Sequence, residues 1–598
     1  MAGLNAASSG GLLRLVRVFV GIDRRLTVGV VALGIAGGSL LPAFTIATGA
    51  LAGRLRDGGS ATGQVVAIGV LFTVQRLLDP ITVELSSMLM RKVDEALTQR
   101  VMRAMAGPPG LAHVEDPTVL DAAQQAQGAL SGWTPGQAAL QLPFLVKRRL
   151  WCIASLAIVG TYRWWLAPLL ALAFWAVFRF AKRHNDEVTE VMHGNADKLR
   201  RAYYLRTLAL THTVAKETRV FGLAPWFVDR YRTSWLGVMR DIWSERRERW
   251  PDIAVLSLLL GAVEAVPFTM IVGDAVSGDL GIGAAVTLTQ ALVAAAMAAQ
   301  FDWANISPGE ANIALDKLDD LERRAAEATH RIHGDRTDVD GMPTASIRFE
   351  HVSFTYPGRD RPVFDGFDLE IEAGRSLAIV GENGAGKTTF VKLLGRLYDP
   401  DGGRILVDGV PLTELDPAAW RTRLAPVFQD FLQLEVSAYD NVAFGALGRA
   451  DDRDGVVRAG ELAGALPVVA RLEHGWNTVL SREFTGGTQL SGGEWQRLAL
   501  ARALFAVQCG AGVLVLDEPT AAMDVRGEAE VYDRFLELTR GVTTIVISHR
   551  FSTVRRADRI VVVEHGRVIE DGTHESLVPA GGLYASMYEL QAARFVSS

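Results

Sequence analysis

The chain divides by pattern into two parts. Long uncharged runs separated by charged, helix-periodic stretches fill roughly the first 330 residues, and short apolar runs punctuated by glycine fill the rest. Leu26 to Gly53 is a run of 28 residues without a charge, longer than the about 20 that cross a bilayer and too long for a signal-peptide core. A second apolar stretch starts near Gly58 and continues past Arg76, Asp79 and Glu84 to Met90. Leu150 to Tyr162 and Trp164 to Phe178 are shorter runs split only by Arg163, and Ile253 to Gly273 is interrupted by Glu264. Leu280 to Phe301 is uninterrupted over 22 residues. The pattern predicts an all-helical membrane domain over residues 1–330 with six spans, near 26–53, 58–90, 143–162, 164–181, 253–273 and 280–303.

Positive charge orients these spans. Arg14, Arg17, Arg24 and Arg25 precede the first, and Arg91 and Lys92 follow the second. Lys147, Arg148 and Arg149 introduce the third, while Arg179, Lys182 and Arg183 close the fourth. All fall on one side, the cytoplasmic side by the positive-inside preference, so both termini are expected in the cytoplasm of a multi-pass protein of the cell membrane. The connections Arg91 to Gln141 and Arg179 to Asp252 are too long for loops and carry helical periodicity, so the helices are expected to run on into the cytosol. They should turn near His113 to Asp121 and Thr218 to Phe227, where Gly or Pro interrupts the pattern; the alternative is an ordinary surface turn. Residues 331–345 lose apolar periodicity, gain Gly, Pro and Asp, and read as a linker to a second domain over 346–598.

Composition narrows the class. The hydrophobic share is 49% and the charged share 21%, too apolar for disorder and too charged for a chain buried in lipid throughout. Residues 1–340 carry 35 Lys+Arg against 32 Asp+Glu, and the remainder 26 against 35, so neither part has the basic excess of a nucleic-acid-binding domain. Cys152 and Cys509 are too few for a disulfide framework. The 25 residues before the first span leave no room for a peptidase domain, so leader processing is not expected.

The second domain announces phosphate chemistry. Ser376 to Val380 (SLAIV) reads as a buried strand, and Gly381, Glu382, Asn383, Gly384, Ala385, Gly386, Lys387, Thr388 and Thr389 follow, running into the helical FVKLLGRL. Strand, glycine loop and helix in this order form a phosphate loop: glycines let backbone N–H groups close on phosphate, and the helix N-terminus offers partial positive charge. Lys387 is expected to bridge the β- and γ-phosphates and Thr388 to ligate Mg²⁺. Val513 to Leu516 is a second apolar strand, ending in Asp517 and Glu518. Asp517 is assigned to Mg²⁺ through water and Glu518 to polarising the attacking water. An α/β P-loop ATPase domain with a helical subdomain follows.

Leu490-Ser491-Gly492-Gly493-Glu494-Trp495-Gln496-Arg497, between the phosphate loop and the Asp-Glu strand, resembles the signature motif of ATP-binding cassette (ABC) proteins. Tyr356 in FTYPG resembles their adenine-stacking aromatic, and Gln429 in VFQD their Q-loop glutamine, a catalytic and Mg²⁺-binding position. Ala522-Met523-Asp524 looks like the D-loop, and His549 in VISHR like the switch histidine. With six preceding spans, the chain resembles an exporter-type ABC half-transporter. The resemblance implies a head-to-tail dimer in which each ATP lies between one phosphate loop and Ser491, Gly492 and Gly493 of the other cassette, with Asp524 nearby. It also makes the two turning points into coupling helices. Glu494-Trp495 replaces the commoner glutamine-containing continuation, and SREFTGGTQ lacks the usual glycine-glutamate form upstream, so no crosstalk residue is assigned there. Glu518, His549 and Ser491 are all present, which favours a homodimer over pairing with a different half-transporter.

What the resemblance implies is ATP-driven export of an amphipathic small molecule, lipid or peptide by alternating access across a lipid bilayer. The alternatives are import of a metal chelate on the same fold, a non-transport cassette ATPase, and an ATP-gated channel. The transported substrate is not fixed by the sequence. Arg76, Asp79, Glu84 and Glu264 are ionisable groups at membrane depth; Arg76 and Asp79, three residues apart, are expected to pair or to meet substrate.

Overall fold

The computed structural model describes residues 7–128, 133–211, 214–248, 250–518 and 539–596. It separates into two compact units: one of residues 1–105 and 117–323, the other of residues 106–116 and 324–598.

The first unit is helical. α1 (Ala7–Ile22) and α2 (Arg24–Arg56) are divided at Asp23, whose carboxylate accepts from Leu26 N–H at 2.9 Å and caps α2. α3 (Thr62–Ala106) runs for 45 residues. Beyond the one-turn α4 (Ala112–Glu115), which belongs to the second unit, come α5 (Pro117–Ala126), α6 (Gln137–Tyr162), α7 (Leu166–Gly194) and α8 (Ala196–Leu210). α9 (Ala215–Val220), α10 (Ala224–Glu248), α11 (Trp250–Ser277), α12 (Ile282–Ala296) and α13 (Trp303–Arg331) complete the series.

Small residues bring the apolar helices together. A Cβ on Gly34 would lie 2.9 Å from the Pro143 carbonyl oxygen, and one on Gly38 2.9 Å from that of Lys147, so α2 meets α6 backbone to backbone along an i, i+4 glycine stripe. Farther along α2, Gly49 and Gly283 of α12 stand in the same relation, each Cβ position 2.6 Å from the other's carbonyl oxygen. Among the described residues, four stretches are long and apolar enough to cross a membrane: Arg24–Arg56, Thr62–Ala106, Trp250–Ser277 and Ile282–Arg331. α6 and α7 contain the charges Lys147 to Arg149 and Arg179 to Arg183 and fall outside that group. Only 6% of the apolar window of α3 and 11% of that of α11 is buried inside the protein. So much bare apolar surface marks a membrane protein.

The expected pairing of Arg76 with Asp79 is not formed. Asp79 Oδ1 instead accepts from Lys147 Nζ of α6 at 2.8 Å and from Gln75 Nε2 at 2.7 Å. Arg76 lies over the Phe72 ring, 5.1 Å from its centroid. Each side chain joins its own i−4 neighbour, Arg76 on the exposed face and Asp79 on the half-buried one, which separates the two despite their spacing. Arg148 of the basic cluster is likewise paired, with Asp302 at 2.6 Å.

The second unit is α/β. An antiparallel sheet of order β2-β1-β4-β5 uses β1 (Ser346–Phe354), β2 (Phe364–Glu372), β4 (Gly402–Val407) and β5 (Val410–Pro411). The second sheet has the order β10-β9-β3-β8-β7-β6: β3 (Ser376–Val380), β6 (Leu424–Val427), β7 (Val513–Asp517), β8 (Thr543–Ile547), β9 (Arg559–Glu564) and β10 (Arg567–Gly572). Its strands are parallel except for β10 at the edge. Strands covered on both faces read as continuous apolar runs, which is why SLAIV and VLVLD lack alternation. α14 (Lys387–Leu394) follows β3, and α15 (Pro417–Arg421) buries Trp420 completely. α16 (Ala438–Ala443), α17 (Arg453–Leu462), α18 (Leu466–Val469) and α19 (Gly492–Gln508) gather around a separate apolar cluster that includes Val442, Val456, Trp495 and Phe505.

Residues 106–116 belong to this unit. Leu111 N–H donates to the Leu397 carbonyl at 3.0 Å, and Arg421 Nη2 donates to that of Pro109 at 2.6 Å. Glu115 bonds the Tyr398 hydroxyl and lies 3.5 Å from Lys392 Nζ. Burial and the nearby Glu115 carboxylate push the Tyr398 phenol well above its ordinary pKa, so it stays a donor. The expected turning point at His113 to Asp121 thus divides, its first four residues joining the second unit.

Candidate active site

Strand order builds the site. β3, β8, β7 and β6 are parallel neighbours, so the loops at their C-terminal ends open on the same edge of the sheet. Those loops carry, in spatial order, the phosphate loop after Val380, His549 after Ile547, Asp517 and Glu518, and Gln429 after Val427.

The phosphate loop is shaped by three glycines. A Cβ on Gly381 would sit 2.2 Å from the Val563 carbonyl oxygen. Gly384 and Gly386 take φ of +89° and +104°, and a Cβ on Gly386 would press on the Phe364 ring at 2.8 Å. Between them Ala385 is buried, while Glu382, Asn383 and Gly384 are exposed. Lys387 Nζ donates to the carbonyls of Gly381 at 2.7 Å and Glu382 at 2.9 Å, which holds the ammonium over the loop. Burial lowers the Lys387 pKa, against the opposing pull of Glu518 and Asp517. Thr388, in the first turn of α14, is exposed; Thr389 points inward, its Oγ1 3.1 Å from the Tyr356 hydroxyl. The Tyr356 ring lies 5.1 Å from Lys392 Nζ and 5.7 Å from the Arg359 guanidinium.

Glu518 is the centre of a three-residue cluster. Its Oε2 accepts from Gln429 Nε2 at 3.0 Å, and its Oε1 lies 3.0 Å from His549 Nδ1. Its φ of +47° is left-handed, a conformation that costs a non-glycine residue about 1–3 kcal/mol. That turn aims the side chain at Gln429 and His549, and Glu518 N–H is held by the Ile547 carbonyl at 2.8 Å. Asp517 is 4% exposed, and burial, with Glu518 adding to it, raises its pKa to about 6. Thr388, Gln429 and Asp517 are hard oxygen donors of the kind Mg²⁺ selects, and a buried carboxylate short of positive charge fits a cation.

The signature residues lie in the helical subdomain. Ser491 caps α19, its side chain accepting from the N–H of Glu494, while Glu494 Oε2 accepts from Ser491 N–H at 2.8 Å. Glu494 also pairs with Arg471. The unusual Glu494 is therefore a capping-box acid, a role legible from Ser-x-x-Glu before an apolar run. Gly492 is exposed and Gly493 half-buried. Asp524, with Ala522 and Met523, lies outside the described residues.

Residues 364–521 match the family model described as ABC transporter. That segment, about a quarter of the chain, is similar to the ABC transporter family. Two relatives named ATP-dependent lipid A-core flippase are similar to parts of this chain: that of Alcanivorax borkumensis is 40% identical over 276 residues, 46% of this chain and 45% of the flippase. That of Ralstonia nicotianae is 43% identical over 248 residues, 41% of each. The chain therefore spans less than half the length of the curated relatives it matches. A solved structure titled as a bacterial Atm1-family ABC exporter with ATP bound superposes with a TM-score of 0.74 at 24% identity, covering 96% of this chain and 99% of that one. The chain thus shares the fold of that exporter, and the segment similar to the ABC transporter model lies in its second unit.

Proposed function

We propose that this chain is half of an ATP-driven exporter, hydrolysing ATP to ADP and phosphate to move an amphipathic, lipid-like molecule across the cell membrane. The observation that carries the reading is the convergence of Gln429, Glu518 and His549 beside Lys387. Backbone N–H groups of the phosphate loop and Lys387 bind the phosphates, and Tyr356 stacks on adenine. Glu518 orients a water, accepts its proton as the oxygen attacks the γ-phosphorus, and the bond to the β–γ bridging oxygen breaks. His549 Nδ1 is engaged by Glu518, which leaves Nε2 for a γ-phosphate oxygen. Thr388, Gln429 and Asp517 would hold Mg²⁺, which when bound neutralises phosphate charge.

Ser491, Gly492 and Gly493, with Asp524, would complete the site of a second copy, where the N-terminus of α19 offers partial positive charge to the γ-phosphate. The turn at Thr218 to Phe227 supports a dimer, because Val220, Phe221 and Trp226 are 79%, 71% and 55% exposed. The reading keeps six spans, with 1–330 as the membrane domain, 331–345 as linker and both termini cytoplasmic; four candidate spans among the described residues support the membrane domain, and the one-sided basic clusters support the orientation. The flippase names of the relatives support a lipid-like cargo.

The test is ATPase turnover of the chain alone in lipid nanodiscs, followed by ATP-dependent movement of a fluorescent lipid between the leaflets of vesicles. Turnover and movement, both lost in Glu518→Gln, are expected. Turnover that survives Glu518→Gln, or hydrolysis without movement of any lipid probe, would count against the reading.

A further inference from the structure

The loop that carries His549 is held from behind by the last helix of the chain, Leu583–Val596. Gln591 Nε2 donates to the His549 carbonyl at 2.5 Å, and Gln591 Oε1 accepts from Phe551 N–H at 3.3 Å. One carboxamide thus satisfies an acceptor and a donor two residues apart, bracketing Arg550. The same loop is anchored by its aromatic side chain. Phe551 is 5% exposed and meets Tyr584 edge-on at 5.1 Å and Tyr588 at 5.5 Å. Tyr584 is fully buried, its hydroxyl 2.8 Å from His574 Nδ1. His549 is therefore gripped at two points, its backbone by Gln591 and its ring by Glu518.

We propose that Gln591 is a positioning residue for ATP hydrolysis: through the His549 and Phe551 backbone it sets where the His549 ring stands relative to Glu518. The inference rests on the hydrolytic reading above. The Glu518 end of the His549 contact is fixed by the β7 terminus, so the relative position of the two groups depends on how firmly the β8 loop is held. A displacement on the scale of an ångström is enough to degrade a catalytic contact. The pattern of one donor and one acceptor is specific to an amide. A carboxylate accepts from Phe551 N–H and repels the His549 carbonyl, whereas a protonated carboxyl restores the missing donor. Leucine fills the volume and supplies neither bond.

The experiment measures ATP turnover of the full chain in nanodiscs for wild type, Gln591→Leu and Gln591→Glu, with Glu518→Gln alongside. Losing one or both hydrogen bonds is expected to lower kcat by about 5- to 30-fold with KM for ATP within about twofold. The distinguishing readout is pH. The activity of Gln591→Glu relative to wild type is expected to rise as pH falls from about 6.5 to about 4.5, where its carboxyl takes up a proton, while that of Gln591→Leu stays low. Wild-type kcat in both variants, or a Gln591→Glu ratio that is flat with pH, overturns the inference. Should Gln591→Leu fail to fold, the pH profile of Gln591→Glu decides alone. Active wild type, silent Glu518→Gln and unaffected Gln591 variants would overturn this role and leave the hydrolytic reading standing; a silent wild type would remove both.

Discussion

Asp517 is held in a state that the fold itself opposes. Its pKa rises from the ordinary 3.8 to about 6 because the carboxylate is buried and faces Glu518. A shift of that size corresponds to about 3 kcal/mol of destabilisation once the group is ionised. The sign follows from proton binding. The folded state holds the proton more tightly than the unfolded one, so stability is lost as pH climbs from 3.8 to about 6 and the penalty is constant above that. Replacing Asp517 with Asn keeps the shape and removes the charge. In nucleotide-free buffer with chelator at about pH 8, Asp517→Asn is expected to raise the unfolding temperature of the ATPase part by about 3–6 °C, allowing half the nominal energy for relaxation. Near pH 5 the advantage is expected to fall to about half. The assay is thermal unfolding of the full chain in nanodiscs at both pH values. A variant no more stable than wild type at pH 8, or one whose gain is the same at pH 5, would refute the account of a strained, cation-seeking carboxylate.

Further expectations concern turnover and packing. Glu518→Gln should lower ATP turnover by at least about 100-fold while leaving nucleotide affinity within a few-fold, read by isothermal titration beside the kinetics. Lys387→Ala should weaken ATP binding by about tenfold or more; unchanged affinity would remove Lys387 from the phosphate site. Gly38→Val drives a side chain onto the Lys147 carbonyl, 2.9 Å from the Cβ position, and should cost about 1–3 kcal/mol, seen as lower thermal stability; Gly29→Val on the same helix, where a Cβ meets nothing within 4 Å, should leave it unchanged. Tyr398→Phe removes the bond to Glu115 and should leave ATP affinity unchanged while lowering the protection of residues 106–116 from hydrogen exchange.

Much of the catalytic edge was legible because each functional residue follows a short apolar strand: Lys387 after SLAIV, Glu518 after VLVLD, His549 after TTIVI. What sequence does not carry is strand order. That β8 lies between β3 and β7, and so brings His549 to Glu518, depends on pairings between segments up to about 170 residues apart. Arg76 and Asp79 show the opposite limit, since spacing named a partner and the neighbours each side chain met, Phe72 for one and Gln75 with Lys147 for the other, took its place. Gln591 had no signal at all, because a lone amide near a chain end resembles any polar surface residue. The role of Glu494 was readable from Ser-x-x-Glu, yet its departure from the commoner signature masked its function as a cap.

The seating of residues 106–116 among Leu397, Tyr398 and Arg421 sets a timetable for biosynthesis. Pro109 and Arg421 are 312 positions apart, and Glu115 and Tyr398 283. At about 5–20 residues per second, the ribosome delivers the second half of each contact about 15–60 s after the first. Throughout that interval the turn after α3 has been made while the surface that receives it has not. A chain interrupted before Leu397 thus lacks more than an ATPase: it presents an unclaimed turn with Leu111, Ala112 and Glu115 in search of a partner, a ready mark by which quality control can tell an unfinished chain from a finished one.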